Sequence, residues 1–315
     1  VLAIQDSLRT RLGSDLQITN LPVNVLCQNQ LPPQVARQYK YPTFIHELAR
    51  VAKGRSLGRL LREINSADLL VIGGGGVYMQ ALLPLSSIGC LAAKASLHSV
   101  RDQPTQDMLS KLGVGARLIC DPAAFLGAPK REREVGREGL SIGLNIAAHG
   151  WARQEELLDQ VVAHYAQFAH DLSNKGGVVF DYFMHHPGEH NVVRKLTDAG
   201  VKFRAIHCDA AKGMAAAYAQ VDLVVSMMLH SAILAFGAGV PTISVGYDQK
   251  NQPFMALSGQ DTRYLDVLEL DASKLISMTM GALCENDAVV RELIQQKQRL
   301  QAESERFFDE VAALA

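Results

Sequence analysis

The stretch VDLVVSMMLHSAILAFGAGVPTISVG, residues 221–246, decides the fold. Its ends, VDLVVSM (221–227) and VPTISVG (240–246), have the length and β-branched content of strands buried on both faces, which favours a parallel sheet. Between them SAILAFGAG reads as a helix, with Leu229 and His230 delivered to its first turn. The same alternation continues outward, because DLLVIGGGG (68–76), LSIGLNI (140–146), GVVFDYF (177–183) and VKFRAIH (201–207) read as further strands of this kind. Between 151 and 176, Leu157, Leu158, Val161, Val162, Tyr165, Phe168 and Leu172 fall on one helical stripe that ends at glycines 176 and 177. Helix and strand in repeated alternation predict doubly wound α/β domains.

At 315 residues the chain is long for one hydrophobic core and fits two domains. The clearest break in composition is GAPKREREVGREG (127–139), charged and almost without apolar side chains, which reads as a solvated linker. The organisation expected is an N-terminal Rossmann-like domain over 1–127, a linker over 128–139, a second Rossmann-like domain over 140–285 and a C-terminal helix over 286–315. That helix has a sparse apolar set, Val290, Leu293, Leu300, Phe307 and Val311, suited to packing back across the domains. With 31 basic and 32 acidic side chains and a pI near 6.9, there is no bulk electrostatic pull toward nucleic acid or anionic lipid. Any anionic ligand must be held locally. The five cysteines are scattered and form no C-x-x-C pair, which argues against a disulfide framework or structural zinc and for reduced thiols in the cytoplasm. No run of about 18 apolar residues offers a membrane span, and the opening VLAIQDSLRTRL reads as an amphipathic helix rather than a secretion signal.

Several residues carry candidate chemistry. Gly73, Gly74, Gly75 and Gly76 follow a strand, where bare backbone lets N–H groups approach an anion or sugar, or simply makes a tight turn. Arg101 and Asp102 sit at the carboxyl end of a short strand, where ligands of open α/β sheets bind. There Arg101 can grip a phosphate or carboxylate, or the two can pair with each other or cap the next helix. His230 opens a helix whose unpaired N–H groups favour an anion. Lys250 lies just past a strand and is either an anion contact or a solvated lysine. FMHHPGEH (183–190) gathers His185, His186, Glu189 and His190, but the spacing and the central Pro-Gly make it a loop rather than a metal site. Asn145 and His149, after another strand, are candidates to line a cleft.

Taken together, ADLLVIGGGGVYMQ, SVRDQPTQDMLSKLGV with CDPAAFL, and VDLVVSMMLHSAILAFGAGVPTISVGYDQK occur in the order and character of the polysaccharide pyruvyl transferase family, over roughly residues 65–260. The resemblance implies two Rossmann-like domains like those of glycosyltransferases of the B type, the first on the acceptor side and the second on the donor side, with a cleft between them. It implies transfer of the enolpyruvyl unit of phosphoenolpyruvate to a sugar of a bacterial surface glycan, usually as a ketal on two hydroxyls. Phosphoenolpyruvate is then a co-substrate, and no metal or other cofactor is called for. The family's V-R-D arginine falls on Arg101, its histidine on His230, and the lysine of its Y-D-x-K turn on Lys250, with Ser231 beside the histidine as a further donor contact. The loop holding His186 and Glu189 would lie near the cleft, on the acceptor.

Two departures stand out. The family's arginine two residues before the histidine is Met228 here, so charge would have to come from elsewhere, with Arg194, Lys195 or Arg204 as the expected sources. The family's opening strand and G-x-x-N-x-G-D loop are not visible, and the spacing from Gln80 to the strand at Leu97 is short enough to suggest absent residues near Gln80 and before Val1. The expected partners are a small-molecule donor and a lipid-linked or oligosaccharide acceptor, in the cytoplasm or at the inner face of the membrane, with no nucleic acid. A nucleotide-sugar glycosyltransferase or epimerase of the same architecture, or a catalytically silent glycan-binding relative, are the alternatives. Acceptor, regiochemistry and oligomeric state are not legible.

Overall fold

The computed structural model describes residues 2–13, 16–17, 96–126, 139–147, 155–247, 250–284 and 286–314. They group into two compact units. One takes in the described residues up to Val100, Pro104–Leu118 and Glu305–Ala315, and the other Arg101–Gln103 and Ile119–Ser304. The strand and glycines expected at 68–76, the suspected break near Gln80, the linker and His149 lie outside the described residues.

The first unit contains α1 (Leu2–Leu12), the parallel pair β1 (Ser99–Val100) and β2 (Arg117–Leu118), most of α2 (Gln103–Lys111) and the end of the last helix. Leu109 and Val100 are its buried centre, covered by Met108, Leu112, Val114 and Leu118. Near the C terminus Arg11 lies 5.9 Å over the Phe308 ring and Arg117 5.9 Å over Phe307, each also bonded to a neighbouring carboxylate, Asp309 and Glu310.

The second unit is a six-stranded, wholly parallel sheet. Its strands are β3 (Leu140–Asn145), β4 (Val178–Phe183), β5 (Arg204–Ile206), β6 (Leu223–Ser226), β7 (Thr242–Gly246) and β8 (Tyr264–Asp266), in the order β5-β4-β3-β6-β7-β8. The connecting helices are α3 (Glu155–Asn174), α4 (His190–Asp198), α5 (Ala211–Tyr218), α6 (Leu229–Ala238), α7 (Asn251–Leu257) and α8 (Ala272–Cys284), followed by α9 (Asn286–Ala312). Every strand predicted between 140 and 246 is present, and the two faces divide the apolar residues as the continuous runs require. On one face Val161, Tyr165, Phe168 and Leu172 of α3 pack on Ile142, Leu144, Leu223 and Val225. On the other, Phe183 and Val224 meet α5 and α6 through Tyr218, Ala235 and Ala238. Helix α6 stops at Gly239, whose φ of 74° lets its N–H turn back to Ala235 and Phe236 while the Val240 N–H bonds Ala235.

From β3 the chain winds outward through β4 and β5, then returns to place β6, β7 and β8 on the other side of β3. The winding therefore reverses between β3 and β6, whose carboxyl ends are paired at Asn145 and Ser226. In open α/β sheets this reversal opens the crevice that holds ligands.

The compact units do not follow the boundaries drawn from composition. Residues 119–126, expected in the first domain, belong to the second, because the turn Pro122–Phe125 packs on α6 against Gly237. A Cβ there would come within 2.9 Å of the Ala124 carbonyl carbon, so only glycine admits the turn at this distance. The expected C-terminal helix is also divided: up to Ser304 it contributes Val289, Leu293 and Leu300 to the second unit, and from Glu305 it groups with the first. Val289, rather than the expected Val290, is the buried member of that stripe.

Candidate active site

Three of the predicted residues come together around the first turn of α6. Arg101, just beyond β1, donates from Nη1 to Asp121 Oδ2 at 2.6 Å, both partly buried. Asp121 also accepts from the Ala123 N–H at 3.0 Å, capping the turn that packs on α6. Arg101 thus pairs with Asp121, twenty residues on. His230 is the second residue of α6, with an edge open to solvent. Its pKa is lowered from the ordinary histidine value, first by the desolvation of its surroundings and then by the positive charges of Arg101 and Lys250, against an opposing pull from Asp121. Lys250 is half-buried at the start of α7. The arrangement is one neutral imidazole with two cations in electrostatic reach, at a helix start where N–H groups point outward.

Beneath this turn lies a buried polar cluster at the strand ends. Asn145, fully buried, donates from Nδ2 to the Phe183 carbonyl at 2.9 Å and to Glu189 Oε2 at 3.3 Å, and its Oδ1 accepts the Met228 N–H at 3.2 Å. Glu189 is also fully buried. Its Oε2 accepts the His185 N–H at 3.0 Å as well, while Oε1 has no hydrogen-bond partner. Desolvation pushes the Glu189 pKa up to about 7 against those two donors. His185 Nε2 lies 2.7 Å from the Tyr218 hydroxyl and 3.0 Å from Ser231 Oγ. Desolvation, with the nearby His230, lowers the His185 pKa to about 4, so its ring is neutral at pH 7. Tyr218 stacks on Phe183 with ring centroids 4.0 Å apart.

Some expectations need correction. Ser231 is not an outward donor contact: it is buried, its hydroxyl bonds His185, and its N–H bonds the Met228 carbonyl at 3.0 Å. His186 is exposed, and its Nδ1 accepts the Gly188 N–H within its own loop. The cations proposed to replace the family arginine are engaged elsewhere. Arg204 forks Asp181, Lys195 bonds Asp159 at 2.6 Å, and Arg194 bonds Asn191. Met228 itself is half-buried against the core beneath the sheet's carboxyl edge. Sequence reasoning gave Asp121 and His185 no role. For His185 a signal existed, since it stands one residue closer than His186 to the end of β4.

Among the described residues, no group of three or more His, Cys, Asp or Glu side chains could hold a metal ion, and no helix is long and apolar enough to cross a membrane.

A wholly parallel sheet that reverses its winding is a Rossmann-like α/β fold, of the kind found in B-type glycosyltransferases. An α,α-trehalose-phosphate synthase (UDP-forming) from Burkholderia vietnamiensis shares this fold at 12% identity and a TM-score of 0.52, over 88% of this chain and 79% of that one. The polysaccharide pyruvyl transferase model matches residues 85–249, just over half the chain, and the chain belongs to that family of transferases. It is also similar to an O-GlcNAc transferase of Thermobaculum terrenum (11% identity, TM-score 0.42, 69% of this chain). A protein of Listeria monocytogenes assigned as a UDP-N-acetylglucosamine 2-epimerase is likewise similar (15%, 0.46, 70%). The chain spans 45% and 61% of the length of those two. No curated protein matches the chain in sequence.

Proposed function

We propose that this protein transfers the enolpyruvyl unit of phosphoenolpyruvate to two hydroxyls of a sugar in a bacterial surface glycan, forming a pyruvate ketal and releasing phosphate. The observation that carries the reading is His230 at a helix start, lowered in proton affinity by desolvation and then by Arg101 and Lys250, in a member of this family. In this reading the two cations hold the donor's phosphate and carboxylate. Ketal formation adds one proton to the methylene carbon, takes one from each attacking hydroxyl and breaks the bond between the enol carbon and the bridging oxygen, the second hydroxyl proton leaving with the phosphate. A histidine neutral at pH 7 accepts the first hydroxyl proton and can return one. The acceptor is a lipid-linked sugar or oligosaccharide met at the cytoplasmic face of the inner membrane.

The test is phosphate release from phosphoenolpyruvate with a panel of lipid-linked sugars. His230→Ala should abolish transfer with a smaller effect on donor binding. Full activity in that variant, or no binding of phosphoenolpyruvate at millimolar concentration, would end the transferase reading. Met228 favours one second reading, a silent glycan-binding relative, because its side chain packs against the core where the family carries an arginine. Thermal stabilisation by phosphoenolpyruvate and not by nucleotide sugars separates the two.

A further inference from the structure

Met228 and Ser231 bracket His230 in the chain, and both are tied to the same buried carboxylate. On one side the Met228 N–H bonds Asn145, whose amide bonds Glu189 Oε2. On the other, Ser231 Oγ bonds the His185 ring, whose own backbone N–H bonds the same Oε2. The result is a closed loop of hydrogen bonds that starts and ends on the first turn of α6 and passes through one oxygen atom. We infer that Glu189 is a positioning residue, fixing the His230 turn through Asn145 on one side and His185 on the other.

The choice of a carboxylate supports this. A buried acid is costly, and half of this one, Oε1, is left without a partner. What the site requires is one oxygen accepting two converging N–H donors, one from the end of β3 and one from the loop after β4. Both donors are spent on Glu189 Oε2, so the role is to hold geometry. The titratable groups facing Glu189 are Tyr182 from β4, His185 from the following loop and Tyr218 from α5, and His230 is coupled to it through His185. A misplacement of about 1 Å at a reacting group can cost about a hundredfold in rate.

The inference depends on the proposed role of His230 only for its kinetic arm. Protein labelled with carbon-13 at histidine Cε1 allows the His230 resonance, assigned by its loss in His230→Ala, to be titrated in the intact chain. Glu189→Ala and Asn145→Ala should each move the His230 midpoint and broaden its line, while Glu189→Gln, which keeps an acceptor oxygen, should stay close to wild type. Phosphate release in Glu189→Ala should fall about 10- to 100-fold in kcat with KM for phosphoenolpyruvate within about threefold, and Glu189→Gln should restore kcat to within about threefold. A His230 titration identical in wild type and Asn145→Ala overturns the inference, and decides it even if Glu189→Ala does not fold. If the wild-type protein transfers nothing, the proposed function fails while the titration still tests the positioning role.

Discussion

Replacing Glu189 by glutamine changes how stability depends on pH, and the sign follows from two opposed groups. The Glu189 carboxyl is raised from 4.5 to about 7 in the folded protein. Between those values the folded state holds a proton that the unfolded state has released, so stability falls as pH rises, by about 1.4 kcal/mol per pH unit and roughly 3 kcal/mol in all. His185 is lowered from 6.5 to about 4. Between those values the unfolded state holds the proton, so stability is lost as pH falls, by a similar amount. Between about pH 4.5 and 6.5 the two nearly cancel, and the wild-type protein should show little net dependence from this pair. Glu189→Gln removes only the first. Relative to wild type, the glutamine variant should therefore gain about 3 kcal/mol as pH rises from 4.5 to 7, a shift of about 6–12 °C in Tm for a domain of this size. Urea or thermal melts of both proteins at half-unit steps from pH 4.5 to 7.5 measure the difference directly, and effects of all other groups drop out. A difference that stays constant with pH, or that shrinks as pH rises, would refute the reasoning.

Gly237→Ala should destabilise by about 1–3 kcal/mol despite the helix propensity gained, because the new Cβ meets the backbone of Ala124, 3.2 Å from its Cα, and that turn must move. Since the turn carries Asp121, phosphoenolpyruvate affinity measured by calorimetry should weaken in parallel, and an unchanged Tm would sink the packing argument. Lys250→Met should raise the His230 titration midpoint and Asp121→Asn should lower it, because the charges they remove act in those directions. A shift of the opposite sign in either, read by histidine NMR, would show that these side chains do not face His230. Met228→Arg should tighten phosphoenolpyruvate binding about tenfold, the worth of one charge-assisted hydrogen bond, its stem keeping the present packing while the guanidinium reaches out. Weaker binding in that variant would place position 228 outside the donor site.

The second unit's sheet was legible because each strand is buried on both faces and writes itself as an unbroken apolar run. Its boundaries were less so. VKFRAIH pairs only over Arg204–Ile206, since Val201 is spent closing α4, its N–H bonded to the Leu196 carbonyl. The site was half legible. Arg101, His230 and Lys250 each sit at a strand end or helix start, which sequence can locate. The partners that set their behaviour are not local: Asp121 meets Arg101 only when two short strands pair, and Glu189 meets Asn145 only because β3 and β4 run in register from Leu140↔Val178 to Leu144↔Tyr182. The glutamate inside FMHHPGEH reads as an acceptor contact near the cleft, and nothing in the string shows that it is instead fully buried under the His230 turn. The compact units depart from the composition boundary for a related reason. Composition marks the charged stretch, whereas the packing that moves residues 119–126 depends on one missing Cβ at Gly237, more than a hundred residues away.

The electrostatics of the cluster predict that binding of the proposed donor is linked to proton uptake. Desolvation holds His230 neutral, helped by the positive charges of Arg101 and Lys250. A ligand carrying a phosphate and a carboxylate, seated between those cations, would cancel that charge and add its own, and each effect favours the protonated imidazole. In the proposed reaction donor binding would thus raise the proton affinity of His230, and the fraction of His230 that stays neutral is the one able to take a hydroxyl proton. Calorimetric titration of phosphoenolpyruvate in buffers of differing ionisation enthalpy should then show net proton uptake near neutral pH. The uptake should vanish in His230→Ala and shrink in Lys250→Met. Binding with no proton uptake in the wild-type protein would mean that the donor's charge is not felt at His230, and that the histidine and the two cations serve different ligands.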